Sequence, residues 1–165
     1  MATTHEFSDA EDLRTAVSNL IKAEKDVRFA HLQSNQLVLR RRSGEKPVKW
    51  LARIKLRPKD YADMFPEGTE YILEVDKDQF DSLDERQQEA VLFHELCHTH
   101  RNEKGKYKLL NHDLQEFNAV LGKYGPYLPD ARRTIQTVER YLKTESNNQL
   151  NSSEDFEDLE LEEIS

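Results

Sequence analysis

Apolar residues recur at helical spacing near the start of the chain. Leu13, Val17, Leu20 and Ile21 fall on one face, and Ser8 with Glu11 three positions on reads as a capping pair ahead of them. The pattern predicts an amphipathic helix over residues 8–25. The period then shortens to two. Val27, Phe29 and His31 alternate with polar neighbours, and short runs at 36–40, 49–56 and 70–75 repeat the habit, so four strands of a small sheet are expected. Pro58, Pro66 and Gly68 place a loop between the last two.

From Ser82 the period lengthens again. Ser82 and Glu85 form a second capping pair, and a helix should run from there through Ala90, Val91 and Phe93 to about Arg101, stopping near Gly105. Leu114, Phe117, Val120, Leu121 and Tyr124 share one side of a helix over 113–123, with Gly125-Pro126 as its stop. A last helix is expected over 129–143. Beyond it the Asn, Ser, Gln and acidic residues bury too little apolar surface to offset the entropy of ordering, so 144–165 reads as a disordered tail. The fold class is therefore α+β. One domain over 1–143 holds an N-terminal helix, a small mixed sheet, a central helix and two C-terminal helices.

Charge changes this picture in one respect. The chain carries a net charge of −8, and residues 144–165 hold eight acidic residues and no Lys or Arg. The remainder is neutral overall, so global acidity says nothing about the partners of the domain. The longest apolar run, Ala90 to Phe93, is far below the ~20 residues of a membrane span, and the first thirty residues hold no signal-peptide core. A cytoplasmic protein with no membrane partner is expected. Cys97 is the only cysteine, which excludes an internal disulfide, a zinc ribbon and a Cys-x-x-Cys redox pair.

The chemistry concentrates in His94-Glu95-Leu96-Cys97-His98. Four residues at 100° each return to within about 40°, so on a helix both imidazoles project from one face, one turn apart, and can share a zinc ion. Glu95 beside them can hold a metal-bound water and take its proton as general base. Leu92, Phe93, Leu96 and Cys97 fall on the opposite side, which gives the helix a core face and a metal face, with Val91 on the metal side beside the cleft. At this composition about 0.02 such pentapeptides are expected by chance.

A catalytic zinc needs a third protein ligand and an open fourth position. Three candidates lie downstream: His112, past a turn at 102–105 where the chain can fold back, then Glu116, and then Asp113. His112 is favoured because neutral imidazole is a preferred zinc ligand. His112 and Glu116 stand four apart, so one can ligate while the other supports it.

These residues also carry a resemblance. Phe93-His94-Glu95-Leu96-Cys97-His98, Lys106-Tyr107-Lys108-Leu109, His112-Asp113-Leu114-Gln115-Glu116-Phe117 and Lys123-Tyr124-Gly125 resemble the phage metallopeptidase family, a set of minimal zincins. More remotely they are similar to SprT-like zinc proteases. The resemblance implies a zinc metallopeptidase with a protein or peptide substrate, His112 as third metal ligand, Glu95 as catalytic base, and action in the host cytoplasm if phage-encoded.

Other signals are weaker. Nine Lys and Arg fall within 40–59 (Arg40, Arg41, Arg42, Lys46, Lys49, Arg53, Lys55, Arg57, Lys59), with Trp50 among them. They read either as a nucleic-acid surface or as long side chains shielding a sheet edge. The acidic tail mixes Phe156, Leu159 and Leu161 with its carboxylates, and is either a segment that folds on a partner protein or a solubilising tail. Tyr107, Tyr124 and Tyr127 are candidates to stabilise a tetrahedral intermediate, with packing as the plainer role. His5, His31 and His100 show no partner pattern. A hydrolase is the favoured reading. Its rival is a non-catalytic zinc-containing interaction protein acting through the basic strand or the tail.

Overall fold

Residues 8 and 9, expected as the start of the first helix, belong instead to strand β1 (Glu6–Asp9) in a computed structural model that describes residues 5–112, 118–128 and positions 132, 136 and 139. Ser8 and Asp9 face Arg41 and Arg40 across an antiparallel ladder, and the Ala10 amide continues it to the Leu39 carbonyl at 3.0 Å. Tertiary pairing thus overrides a local capping pattern. After a 3-10 turn the helix α1 (Arg14–Ala23) does form, and Leu13, Val17, Leu20 and Ile21 are buried as their spacing requires.

The second departure is at 27–31. Alternation suggested a strand, yet Val27 is 80% exposed while Phe29 is fully buried, and the amides of Arg28 and Phe29 both bond to the Glu24 carbonyl. The chain turns off the end of α1 and, among the described residues, pairs with no strand. The other three expected strands are present as β2 (Leu37–Ser43), β3 (Ala52–Leu56) and β4 (Tyr71–Asp76). They join β1 in a mixed sheet of order β1-β2-β4-β3, with β2 and β4 parallel and the outer pairs antiparallel. A 3-10 segment (Lys59–Met64) occupies the proline-marked connection before β4.

Alternation gives the sheet two unlike faces. Leu37, Leu39, Ile54, Tyr71, Leu73 and Val75 belong to one, the core that packs against the helices. Val38, Arg40, Arg42, Arg53, Lys55, Ile72, Glu74 and Asp76 belong to the other, where buried Asp76 pairs with Arg42 at 3.0 Å and buried Glu74 pairs with Arg53 and Lys55 at 2.7 and 2.9 Å.

A short helix α2 (Lys77–Asp81), capped by Asp76, leads to the long helix α3 (Glu85–Cys97). The expected capping pair Ser82 and Glu85 is not the one used. Asp84 accepts from the Gln87 amide at 2.8 Å, and the Gln87 side chain accepts from the Asp84 amide at 3.1 Å, whereas the Ser82 hydroxyl donates to the Gln79 carbonyl and closes α2. Asp84→Ala should therefore cost about 1 kcal/mol in urea unfolding, with Ser82→Ala costing less. The reverse ranking would contradict this cap.

Helix α3 also stops earlier than its pattern implies, at Cys97 rather than near Arg101. The Thr99 hydroxyl takes up the Leu96 carbonyl at 2.7 Å, and the chain leaves as β5 (Thr99–Arg101), paired with β6 (Tyr107–Leu109) in a hairpin. Gly105, with φ of +76°, serves the turn of this hairpin, a conformation open to glycine, rather than a helix stop. Of the helix expected over 113–123, α4 (Asn118–Tyr124) is described, ending at Gly125, whose amide bonds back to the Leu121 carbonyl at 2.9 Å. Phe93 joins the helices, edge-on to Phe29 and to Tyr124.

The chain divides into two compact units, 1–125 and 126–165. In the second, Arg132, Gln136 and Glu139 are helical, within the helix expected over 129–143. The expected disorder of 144–165 lies outside the described residues. Among the described residues no helix is long and apolar enough to cross a membrane.

Candidate metal centre

Helix period places the first two imidazoles. His94 lies in the last turn of α3 and His98 is its C-cap, with ring centroids 5.2 Å apart. On the other side of the helix Leu92, Phe93 and Leu96 are fully buried and Cys97 nearly so, so packing fixes which way the histidines point. Val91, expected to line the cleft, is also buried.

The third imidazole arrives through the hairpin. Thr99 faces Leu109 in the β5–β6 ladder, so the next pair outward is His98 with Leu110. The Leu110 amide donates to the His98 carbonyl at 2.7 Å, and His98 Nδ1 lies 2.6 Å from the Leu110 carbonyl. A carbonyl oxygen only accepts, so Nδ1 carries the hydrogen and Nε2 presents a lone pair. Two residues further, His112 Nε2 stands 3.0 Å from His94 Nε2, and its ring lies 4.7 Å from that of His98. One nitrogen from each of His94, His98 and His112 lies within 4.8 Å of the others.

This donor set fits a metal ion. Nitrogen ligands at about 2.0–2.1 Å in tetrahedral geometry stand about 3.3 Å from one another. The trio, with one pair at 3.0 Å and none beyond 4.8 Å, brackets that spacing. Among the described residues no fourth His, Cys, Asp or Glu joins the group. Asp113 and Glu116, the other candidates for third ligand, lie outside the described residues. Glu95 is buried next to the trio, its Oε1 4.0 Å from His94 Nε2.

Other nominated residues are occupied elsewhere. The Tyr107 hydroxyl accepts from Gln36 at 2.7 Å and the Tyr124 hydroxyl donates to Glu89 at 2.7 Å, which gives both a packing role; Tyr127 belongs to the second unit. Burial and the Glu89 carboxylate raise the Tyr124 pKa, so its proton stays in place. In the basic stretch, Arg41 pairs with Asp12 and Asp81, Arg42 with Asp76, and Arg53 and Lys55 with Glu74. Arg40 stacks over Phe65 and Arg53 over Trp50. Four of the nine cations, Arg41, Arg42, Arg53 and Lys55, are thus paired with carboxylates, those of Arg41 lying outside the sheet.

Three contributors carried no recognisable signal at the level of residue type. The Leu110 carbonyl orients His98. His31, half-buried with its pKa lowered chiefly by burial, bonds Thr99 at 2.9 Å and so braces the residue after His98. The buried Tyr71 hydroxyl contacts both hairpin strands. The turn at 102–105 between two short alternating runs was the available hint of a hairpin.

The family model described as Putative phage metallopeptidase matches residues 5–143. Comparison with curated proteins and with solved structures gives no match.

Proposed function

The chain belongs to the phage metallopeptidase family, and from that membership we propose that it is a zinc-dependent hydrolase of peptide bonds, with His94, His98 and His112 as metal ligands and Glu95 as general base. The observation that carries the reading is the convergence of three imidazole nitrogens, two from α3 and one from beyond the β5–β6 hairpin, beside a buried carboxylate. Three neutral imidazoles suit zinc among the common ions, and zinc held by them supplies Lewis acidity, polarising a carbonyl and lowering the pKa of a water to about 7.

The chain's own residues supply the rest. Glu95 takes the proton of the attacking water and returns it to the departing amine as the C–N bond breaks. His98 is held in the tautomer that ligates by its hydrogen bond to Leu110. A protein or peptide is the substrate. Action in a host cytoplasm belongs to the same proposal and accords with a lone buried thiol.

Metal removal tests this. Protein purified without added metal should contain about one zinc per chain, chelation should abolish cleavage of an unstructured protein substrate, and one equivalent of zinc should restore it. Cleavage indifferent to chelation, or no zinc bound even when supplied, would overturn the proposal.

A further inference from the structure

The third ligand of the trio is the one brought in by a hairpin rather than by α3. His112 is exposed, follows the hairpin by three residues, and belongs to no element. Its position therefore depends on where the hairpin is held. The hairpin is a two-stranded sheet of three residues per strand, a structure too small to hold its shape alone. Something outside it must fix it.

Two contacts to the main sheet do so. Tyr71, at the start of β4, is fully buried, and its hydroxyl lies 3.0 Å from the His100 carbonyl, 2.9 Å from the Lys108 carbonyl and 3.2 Å from the His100 amide. His100 and Lys108 are cross-strand partners, so one oxygen straddles both strands at a single ladder rung. The hydroxyl accepts from the amide and shares its proton between two carbonyls. The second contact is at the neighbouring rung, where Gln36 donates to the Tyr107 hydroxyl at 2.7 Å and the Tyr107 ring meets Tyr71 edge-on at 5.9 Å. From the clamped rung the ladder runs outward through Thr99 and Leu109 to His98 and Leu110, and then to His112. Burial raises the Tyr71 pKa to about 12, so the clamp keeps its proton across the neutral range.

We propose that Tyr71 is a positioning residue for the metal centre: its hydroxyl clamps the β5–β6 hairpin to the sheet and so sets His112 against His94 and His98. The inference rests on the reading of His112 as a metal ligand. Tyr71 touches neither metal nor substrate, and under this proposal its effect passes through residue 112.

That requirement gives the test. Zinc affinity is measured by competition with a chromophoric chelator for wild type, Tyr71→Phe, His112→Ala and the double variant, alongside thermal unfolding of each metal-free protein. Tyr71→Phe should weaken zinc about 10–100-fold, the range for residues that orient a ligand. In the His112→Ala background the same change should alter affinity less than about threefold, because the element it positions no longer bears a ligand. Equal losses in both backgrounds, or wild-type affinity in Tyr71→Phe, would overturn the proposal. If Tyr71→Phe does not fold, Tyr107→Phe carries the same cycle, with a smaller loss in the same direction expected. A wild type that binds no zinc would instead sink the metal reading itself, a result distinguishable from either.

Discussion

Replacing Glu95 by Gln is expected to lower kcat/KM for peptide cleavage by about 10²–10⁴-fold, the range for loss of a general base, while the protein keeps one zinc per chain. The substitution preserves shape and removes the acceptor of the proton. Because Glu95 is buried within α3, a shape-preserving change is needed; Glu95→Ala would leave a void and confuse chemistry with packing. The three imidazoles are untouched, so metal content should stay constant. Equal activity in wild type and Glu95→Gln would remove Glu95 from the mechanism. If the wild type holds zinc and shows no cleavage at all, the molecule is better understood as the zinc-containing interaction protein.

His112→Ala should weaken zinc binding severely, leaving only His94 and His98 of the trio. Structural considerations make this variant informative: the side chain is exposed and takes no part in the core, so the metal-free protein should unfold within about 0.5 kcal/mol of wild type. Zinc affinity should fall by more than the 10–100-fold that attends loss of a ligand's supporting partner, because a ligand itself is lost. Zinc binding to the native state raises stability by mass action, so added zinc should lift the Tm of wild type and leave that of His112→Ala nearly unmoved. Retention of zinc in His112→Ala with loss in Glu116→Ala or Asp113→Ala would move the third ligand onto the following segment. The two variants separate the roles of the site, one keeping the metal without the chemistry and the other weakening the hold on the metal itself.

The pentapeptide was legible because everything it needs is local. His94 and His98 share a helix face by backbone period alone, and the buried Leu92, Phe93 and Leu96 were readable as the opposing face for the same reason. The wrong boundaries came from the same source. Polar residues are dense between 76 and 88, so several residue pairs satisfy a capping rule and only the packed helix selects Asp84 with Gln87. Alternation at 27–31 matched a strand, but a strand needs a neighbour, and among the described residues none pairs with it. The acids that pair with Arg41, Arg42, Arg53 and Lys55 of the charge run at 40–59 were not legible from the run itself, because Asp12, Glu74, Asp76 and Asp81 lie elsewhere in the chain.

By itself, then, the order of residues determined the α+β class, the face shared by two histidines, the carboxylate between them and the helix stop at Gly125, each set by interactions reaching no more than about four residues along the chain. Tertiary structure decided the rest. It drew residues 6–9 into the sheet beside residues 40–43, cut α3 at Cys97, and clamped the hairpin through a tyrosine 29 and 37 residues away from its partners. The physical reason is that a helix satisfies its backbone from its own neighbours, while a strand must find its donors and acceptors elsewhere in the chain. His112 stands beside His94 and His98 beyond the β5–β6 pairing, which helix period alone does not set.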